Sequence, residues 1–267
     1  ISADSTPPVF TTCPTSYRVN ADVDVCEAVV VFSTPQATDC NGIATVQQST
    51  GLASGSTFPI GPEDIVFTAT DNCGNTMTCS FTITVVDSDI PSISCPSNEV
   101  VVCAAAGSCV WAGDDRISPI GIDNCLNANI SYSIALADGL TAEGAMDASV
   151  ETFPLGTSVV TYTILDANGN TGPTCDFEVT VEDCEAPMIS CSNAVDVECG
   201  MEDVSGWRAD VEAAIMAQGD VGDCSEPLSV SSFLQADISG CGNTIEQLYT
   251  FTATDGAGNS SRVTCLY

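Results

Sequence analysis

The chain contains no histidine and no lysine, and its four basic residues, all arginine, face 36 acidic ones in 267 residues. Without histidine there is no Ser-His-Asp or Cys-His arrangement. Without lysine there is no Schiff base and no lysine general base. The formal charge of −32 excludes nucleic acid as a partner, because neutralising phosphates requires lysine and arginine. It also disfavours an anionic membrane surface. No apolar run approaches the roughly 20 residues of a spanning helix, so no membrane insertion is expected. A glycine-rich phosphate loop and a CxxC pair are both missing. Adjacent acids such as Asp114-Asp115 read as solvated surface. The chain is therefore expected to be non-enzymatic. It opens at Ile1 with neither an initiator methionine nor a signal peptide, and reads as a processed or excised piece.

Two things are abundant. Hydrophobic residues make up 44% of the chain, so it is no disordered acidic tail despite its charge. There are also 16 cysteines. Lacking histidine and CxxC spacing to build a metal or redox site, they read as disulfides, which require an oxidising, extracellular setting.

Internal repetition decides the fold. Three segments open alike: Pro7-Pro8-Val9-Phe10-Thr11-Thr12-Cys13, Pro91-Ser92-Ile93-Ser94-Cys95 and Pro187-Met188-Ile189-Ser190-Cys191. Each carries a mid-repeat Asp before Cys: Asp39-Cys40, Asp123-Asn124-Cys125 and Asp223-Cys224. Each ends in a strand running into a turn: Thr68 to Asn75, Thr163 to Asn170 and Thr252 to Asn259. A closing cysteine follows at Cys79, Cys175 and Cys265. Phe-Pro-x-Gly recurs at Phe58 and Phe153 but not in the third segment. Alternation in Phe81-Thr82-Ile83-Thr84-Val85 and Phe177-Glu178-Val179-Thr180-Val181 predicts strands with one apolar face. In the Asp-x-x-Gly-Asn turn, Asp caps with its own side chain and Gly takes positive φ. Ser205 to Gly219 places Trp207, Val211 and Ile215 at four-residue spacing, which predicts a short helix packed on the sandwich. Trp111 and Trp207 are expected in cores.

These motifs resemble hyalin repeat (HYR) domains, an immunoglobulin-like family of extracellular proteins. The third segment departs from the pattern by its helix and its missing Phe-Pro-x-Gly. The resemblance implies an all-β fold of three tandem Ig-like β-sandwich domains with a short helical insert in the third, no catalysis, and a place in adhesion or extracellular matrix. It looks like versions of the repeat found in secreted bacterial surface proteins. The expected boundaries are 1–88, 89–184 and 185–267, the third missing its last strand.

Opening and closing cysteines are expected to pair: Cys13 with Cys79, Cys95 with Cys175, Cys191 with Cys265. Second and third cysteines are expected to pair within each repeat: Cys26 with Cys40, Cys109 with Cys125, Cys199 with Cys224. Cys103 and Cys184 sit at nearly equal offsets beyond Cys95 and Cys175, and form a further rung if first and last strands run parallel. Cys73 and Cys241 are left over, either free or joining different molecules.

The ends suggest continuation. Closing to opening cysteine is 16 residues twice (79 to 95, 175 to 191) and 15 across a seam joining Tyr267 to Ile1. Ile1, Ser2, Ala3 and Asp4 at one end, with Leu266 and Tyr267 at the other, are thus candidate subunit contacts. Strand donation or a longer covalent array would produce a head-to-tail polymer of the chain with itself. A boundary without meaning is the plain alternative. The turn acids Asp71, Asp166 and Asp255, and linker acids Asp87, Asp89, Asp183 and Glu185, are hard ligands suited to calcium. Turn capping alone also accounts for the former. No other cofactor is expected. Asn129 and Asn259 lie in Asn-x-Ser sequons. The expected function is an extracellular structural protein, a subunit of a fibre or sheath at the cell surface. The alternatives are an adhesion module binding glycans or surface proteins, and accessory repeats of a larger secreted enzyme.

Overall fold

The computed structural model describes residues 4–125, 128–191, 204–219, 224–225, 227–239 and 245–266. The architecture is nearly all β. In the first repeat the strands are β1 (Val9–Thr12), β2 (Tyr17–Asn20), β3 (Glu27–Val29), β4 (Gln36–Thr38), β5 (Ile43–Thr50), β6 (Thr57–Pro59), β7 (Gly61–Asp71) and β8 (Thr76–Val86). In the second they are β9 (Ser92–Ser94), β10 (Glu99–Cys103), β11 (Val110–Ala112), β12 (Ile120–Ile122), β13 (Asn129–Ala135), β14 (Thr141–Ala145), β15 (Thr152–Pro154), β16 (Gly156–Leu165) and β17 (Cys175–Glu182). The third has α1 (Val204–Gly219), β18 (Ser229–Ser239), β19 (Ile245–Thr254) and β20 (Ser260–Leu266).

The main sheets are β2-β8-β7-β5, β10-β17-β16-β13-β14 and β18-β19-β20. In the first two, the early strand runs parallel to the last: Tyr17 faces Ile83 and Glu99 faces Glu178. Short antiparallel pairs β3–β6 and β11–β15 carry the Phe-Pro strands, with Ala28 opposite Phe58 and Trp111 opposite Phe153. Alternation along β7 and β8 buries Ile65, Phe67, Phe81, Ile83 and Val85, and these pack on Ala28, Val30 and Phe58. Helix α1 begins at Val204, and its Trp207, Val211 and Ile215 are buried against Tyr249, Phe251 and Cys265. The four-residue stripe is therefore core, as its spacing predicts. Trp111 is 7% exposed and Trp207 5%, which places both rings in cores.

By packing, the chain forms two compact units. One comprises Ile1–Ile93 with Ile120–Ile130 and Thr163–Thr174. The other comprises Ser94–Pro119, Ser131–Tyr162 and Cys175–Tyr267. The first unit thus holds repeat 1 together with the Asp loop and the Asp-x-x-Gly-Asn turn of repeat 2.

Among the described residues the structure joins Cys13 to Cys79, Cys95 to Cys175, Cys103 to Cys184, Cys191 to Cys265 and Cys109 to Cys224. The last bridge corrects two expected pairs, Cys109 with Cys125 and Cys199 with Cys224. The turn holding Cys109 is joined to Cys224, in the Asp loop of the next repeat, rather than to Cys125 of its own. Cys26 and Cys40 are likewise unpaired with each other, and Cys40, Cys73 and Cys125 are also free thiols. Cys199, Cys241, Ile1, Ser2, Ala3 and Tyr267 lie outside the described residues. In repeat 3, β20 carries the closing Cys265 and pairs antiparallel with β19 from Thr254–Ser260 to Leu248–Leu266.

Candidate functional site

The constellation that recurs in every repeat is built around the Asp-x-x-Gly-Asn turn. In repeat 1 the Asp71 carboxylate accepts from the main-chain N–H of Cys73 and Asn75, each at 2.8 Å, and from the Asn75 side chain at 2.8 Å. Asp166 accepts from the N–H of Asn168 (2.9 Å) and Asn170 (2.7 Å) and from the Asn170 side chain (2.6 Å). Asp255 accepts from the Asn259 N–H (2.8 Å) and side chain (3.0 Å). The reversal requires a left-handed residue, supplied by Gly74, Gly169 and Gly258 at φ of 91°, 94° and 95°. Burial, the largest influence on Asp71 and Asp166, pushes their carboxyls up. The converging Asn side-chain and backbone donors outweigh it, and both end below the ordinary carboxylate value.

The turn asparagine has a second task. Its amide also donates to the backbone carbonyl of the linker acid that precedes the opening proline: Asn75 to Asp4 (3.2 Å), Asn170 to Asp87 (3.2 Å), Asn259 to Asp183 (3.1 Å). That linker acid caps the residue two positions on: Asp4 accepts from Thr6, Asp87 from Asp89, Asp183 from Glu185. Asp4 is therefore bound within its own chain, where its carboxylate also accepts from Asn41 at 2.6 Å. The Thr6 N–H, followed by the Asn41 amide, holds the Asp4 carboxyl below its usual value.

The third acid comes from the Asp loop. Asp39 accepts from the Asn41 N–H at 2.8 Å, and Asp123 from the Cys125 N–H at 3.1 Å. The fold brings Asp87, Asp123 and Asp166 together, with one carboxylate oxygen from each within 4.8 Å of the others and both Asp87 and Asp166 buried. Asp4, Asp39 and Cys40 form the matching group in repeat 1. Three converging carboxylates are an oxygen-only donor set of the hard kind calcium takes. The linker acid Asp87 belongs to this set. Asp89 instead accepts from the Asp24 N–H and the Asn124 side chain, both at 3.1 Å. Glu185 accepts from the Gly107 N–H at 2.7 Å. Spacing alone does not reveal Asp123 as the third member, because its loop reaches the turn only through the fold. Asp114 has a structural role: it caps a short 3-10 turn and pairs with Arg116 at 2.8 Å, whose guanidinium lies over the Trp111 ring.

Residues 3–85 and 143–181 match the HYR domain. The chain is similar to that family over those two segments. It is 32% identical over 225 residues to hyalin of Strongylocentrotus purpuratus, covering 81% of this chain and 17% of that protein. To hyalin of Lytechinus variegatus it is 30% identical over 193 residues, covering 71% of this chain and 34% of that one. A further relative, serine-rich adhesin for platelets of Staphylococcus aureus, is 33% identical over 159 residues, covering 52% of this chain and 6% of that protein. The chain thus spans well under two thirds of the length of these relatives. The expectation of a bacterial source is not supported, since the hyalins are animal proteins. Among solved structures, Drosophila N-cadherin EC1-3 superposes with a TM-score of 0.36 at 15% identity, covering 95% of this chain and 97% of that one. At that score the likeness adds nothing to the fold. The disulfides, with the likeness to hyalin, make this an extracellular protein.

Proposed function

We propose that the chain is a segment of an extracellular structural array, with its three repeats bounded at 1–88, 89–184 and 185–267. One observation carries this reading. The same linker acid, turn asparagine and turn aspartate are hydrogen-bonded in the same way at Asp4-Asn75-Asp71, Asp87-Asn170-Asp166 and Asp183-Asn259-Asp255. A junction rebuilt identically at each repeat suits a protein whose repeats propagate in line. Head-to-tail continuation, by strand donation or by a longer chain, is the finer form of the proposal. Cys73, an exposed thiol, and Cys241 are its candidate cross-link between molecules. Electron microscopy of the secreted protein tests it: filaments with a regular axial repeat are expected, and dispersed monomers overturn polymerisation by this chain. On a non-reducing gel, covalent oligomers that disappear in Cys73→Ser support the cross-link, and monomer alone removes it.

A second reading, an adhesion module, is favoured by apolar side chains left exposed on the strands, among them Phe233 (71% exposed) and Ile120 and Ile122 (both 63%). Binding of dispersed monomers to a glycan or matrix-protein array would favour it. Accessory repeats of a larger secreted enzyme have no observation in their favour.

A further inference from the structure

The bridge between Cys109 and Cys224 joins two different repeats. The junction between repeats 1 and 2 has the same parts. In repeat 2 a tight turn precedes β11: Ser108 N–H donates to Ala105 (2.8 Å) and Ala105 N–H to Val110 (2.9 Å). In repeat 1 the turn before β3 has Val25 N–H donating to Asp22 (3.2 Å) and Asp22 N–H to Glu27 (2.8 Å). Each turn holds one left-handed residue two positions before its cysteine, Asp24 at φ 61° and Gly107 at φ 67°. Each of those residues donates its N–H to the acid two beyond the linker aspartate, Asp24 to Asp89 and Gly107 to Glu185. Cys26 and Cys109 therefore occupy one structural position.

Their partners correspond too. Cys224 and Cys125 each lie in the Asp loop of the following repeat. In the first unit the two loops are already in direct contact. The Cys26 thiol donates to the Asn124 carbonyl at 2.8 Å, and the Cys125 thiol points at the Val25 carbonyl at 3.6 Å. Asp89 latches both loops by accepting from the Asp24 N–H and the Asn124 side chain. We infer that Cys26 and Cys125 form an inter-repeat disulfide, so that the turn of each repeat is strapped to the Asp loop of the next. Burial and the neighbouring Cys26 thiol both push the Cys125 thiol up, as expected for two sulfurs sharing one partly buried site.

The chemistry balances with a disulfide oxidant, either an oxidised thiol oxidoreductase of the secretory route or a small-molecule disulfide. One cysteine thiolate attacks the oxidant's sulfur and releases one reduced thiol. The second thiolate then displaces the other. The Cys26–Cys125 bond forms, the oxidant's S–S bond breaks, and the two cysteine protons end on its two thiols. This goes beyond the structural-array reading and holds whether or not the chain polymerises.

The test is disulfide mapping of the full wild-type chain secreted through an oxidising compartment. Free thiols are alkylated at acid pH, the protein is digested with pepsin without reduction, and linked peptides are sequenced by mass spectrometry. A peptide pair joining Cys26 to Cys125 is expected. Cys26→Ser should leave Cys125 alkylated, and Cys125→Ser should do the same for Cys26. Alkylated Cys26 and Cys125 in the wild-type protein, or a link from Cys26 to Cys40, overturns the inference. The wild-type map decides even if a variant fails to fold.

Discussion

At the scale of single residues, the turn asparagines and aspartates do the joining. Asp71 and Asp166 have folded values below the ordinary carboxylate value because several donors favour the charged form. Such a group is stabilising at a pH above its unfolded value, and that contribution fades as pH falls through the folded value. Urea midpoints are therefore expected to hold near neutral pH and to drop progressively below about pH 4, where an unfolded aspartate begins to protonate. A flat profile down to pH 2 would remove the turn carboxylates from the account. The two sequons separate at the same scale. Asn129 is exposed, whereas the Asn259 amide donates to both Asp255 and Asp183. Secretion from a glycosylating eukaryotic cell should therefore modify Asn129 and leave Asn259 bare, as peptide mass mapping will read. A glycan at Asn259 would mean that the junction opens.

At the scale of elements, the parallel pairing of first and last strands carries the disulfide rungs. Repeat 2 has two rungs, Cys95–Cys175 and Cys103–Cys184. Repeat 1 has one, Cys13–Cys79. Register explains the difference: Cys103 faces Glu182 as Asn20 faces Val86, and the residues two beyond are Cys184 and Ser88. β2 and β8 pair without the second rung, so β10 and β17 should as well. The double variant Cys103→Ser, Cys184→Ser is expected to keep its β-sheet circular dichroism while losing on the order of 2–4 kcal/mol in denaturant unfolding. Failure to fold would show that the rung is needed to dock β10. The carboxylate triad belongs to this scale too, since it needs a linker, a loop and a turn. Millimolar calcium should raise the thermal midpoint over that in chelator, and Asp87→Asn with Asp166→Asn should abolish the rise. Overlaying melts would assign these acids to turn capping alone.

At the scale of the whole molecule, a formal charge of −32 sets how copies meet. Self-repulsion acts over the Debye length, about 30 Å at 0.01 M salt and about 8 Å at 0.15 M. Association between copies should therefore strengthen as salt rises, which sedimentation at low and high ionic strength will measure. Weakening with salt would point to charge pairing at the contact instead. The repeats were legible because each is written with the same short strands and the same turn, whose chemistry is local. Helix α1 was legible because Trp207, Val211 and Ile215 fall on one helical face and nothing else competes for that stripe.

What sequence determined by itself was therefore what near neighbours set, alternation and the turn aspartates and glycines, together with what recurrence marked, the opening and closing cysteines 66 to 80 residues apart. Only tertiary structure decided which loop meets which. Cys109 and Cys125 are near in sequence, yet each meets a loop of the adjoining repeat. The carboxylate set of Asp87, Asp123 and Asp166 comes together for the same reason. Loop ends are joined by the direction in which strands run, and that direction is a property of the folded sheet.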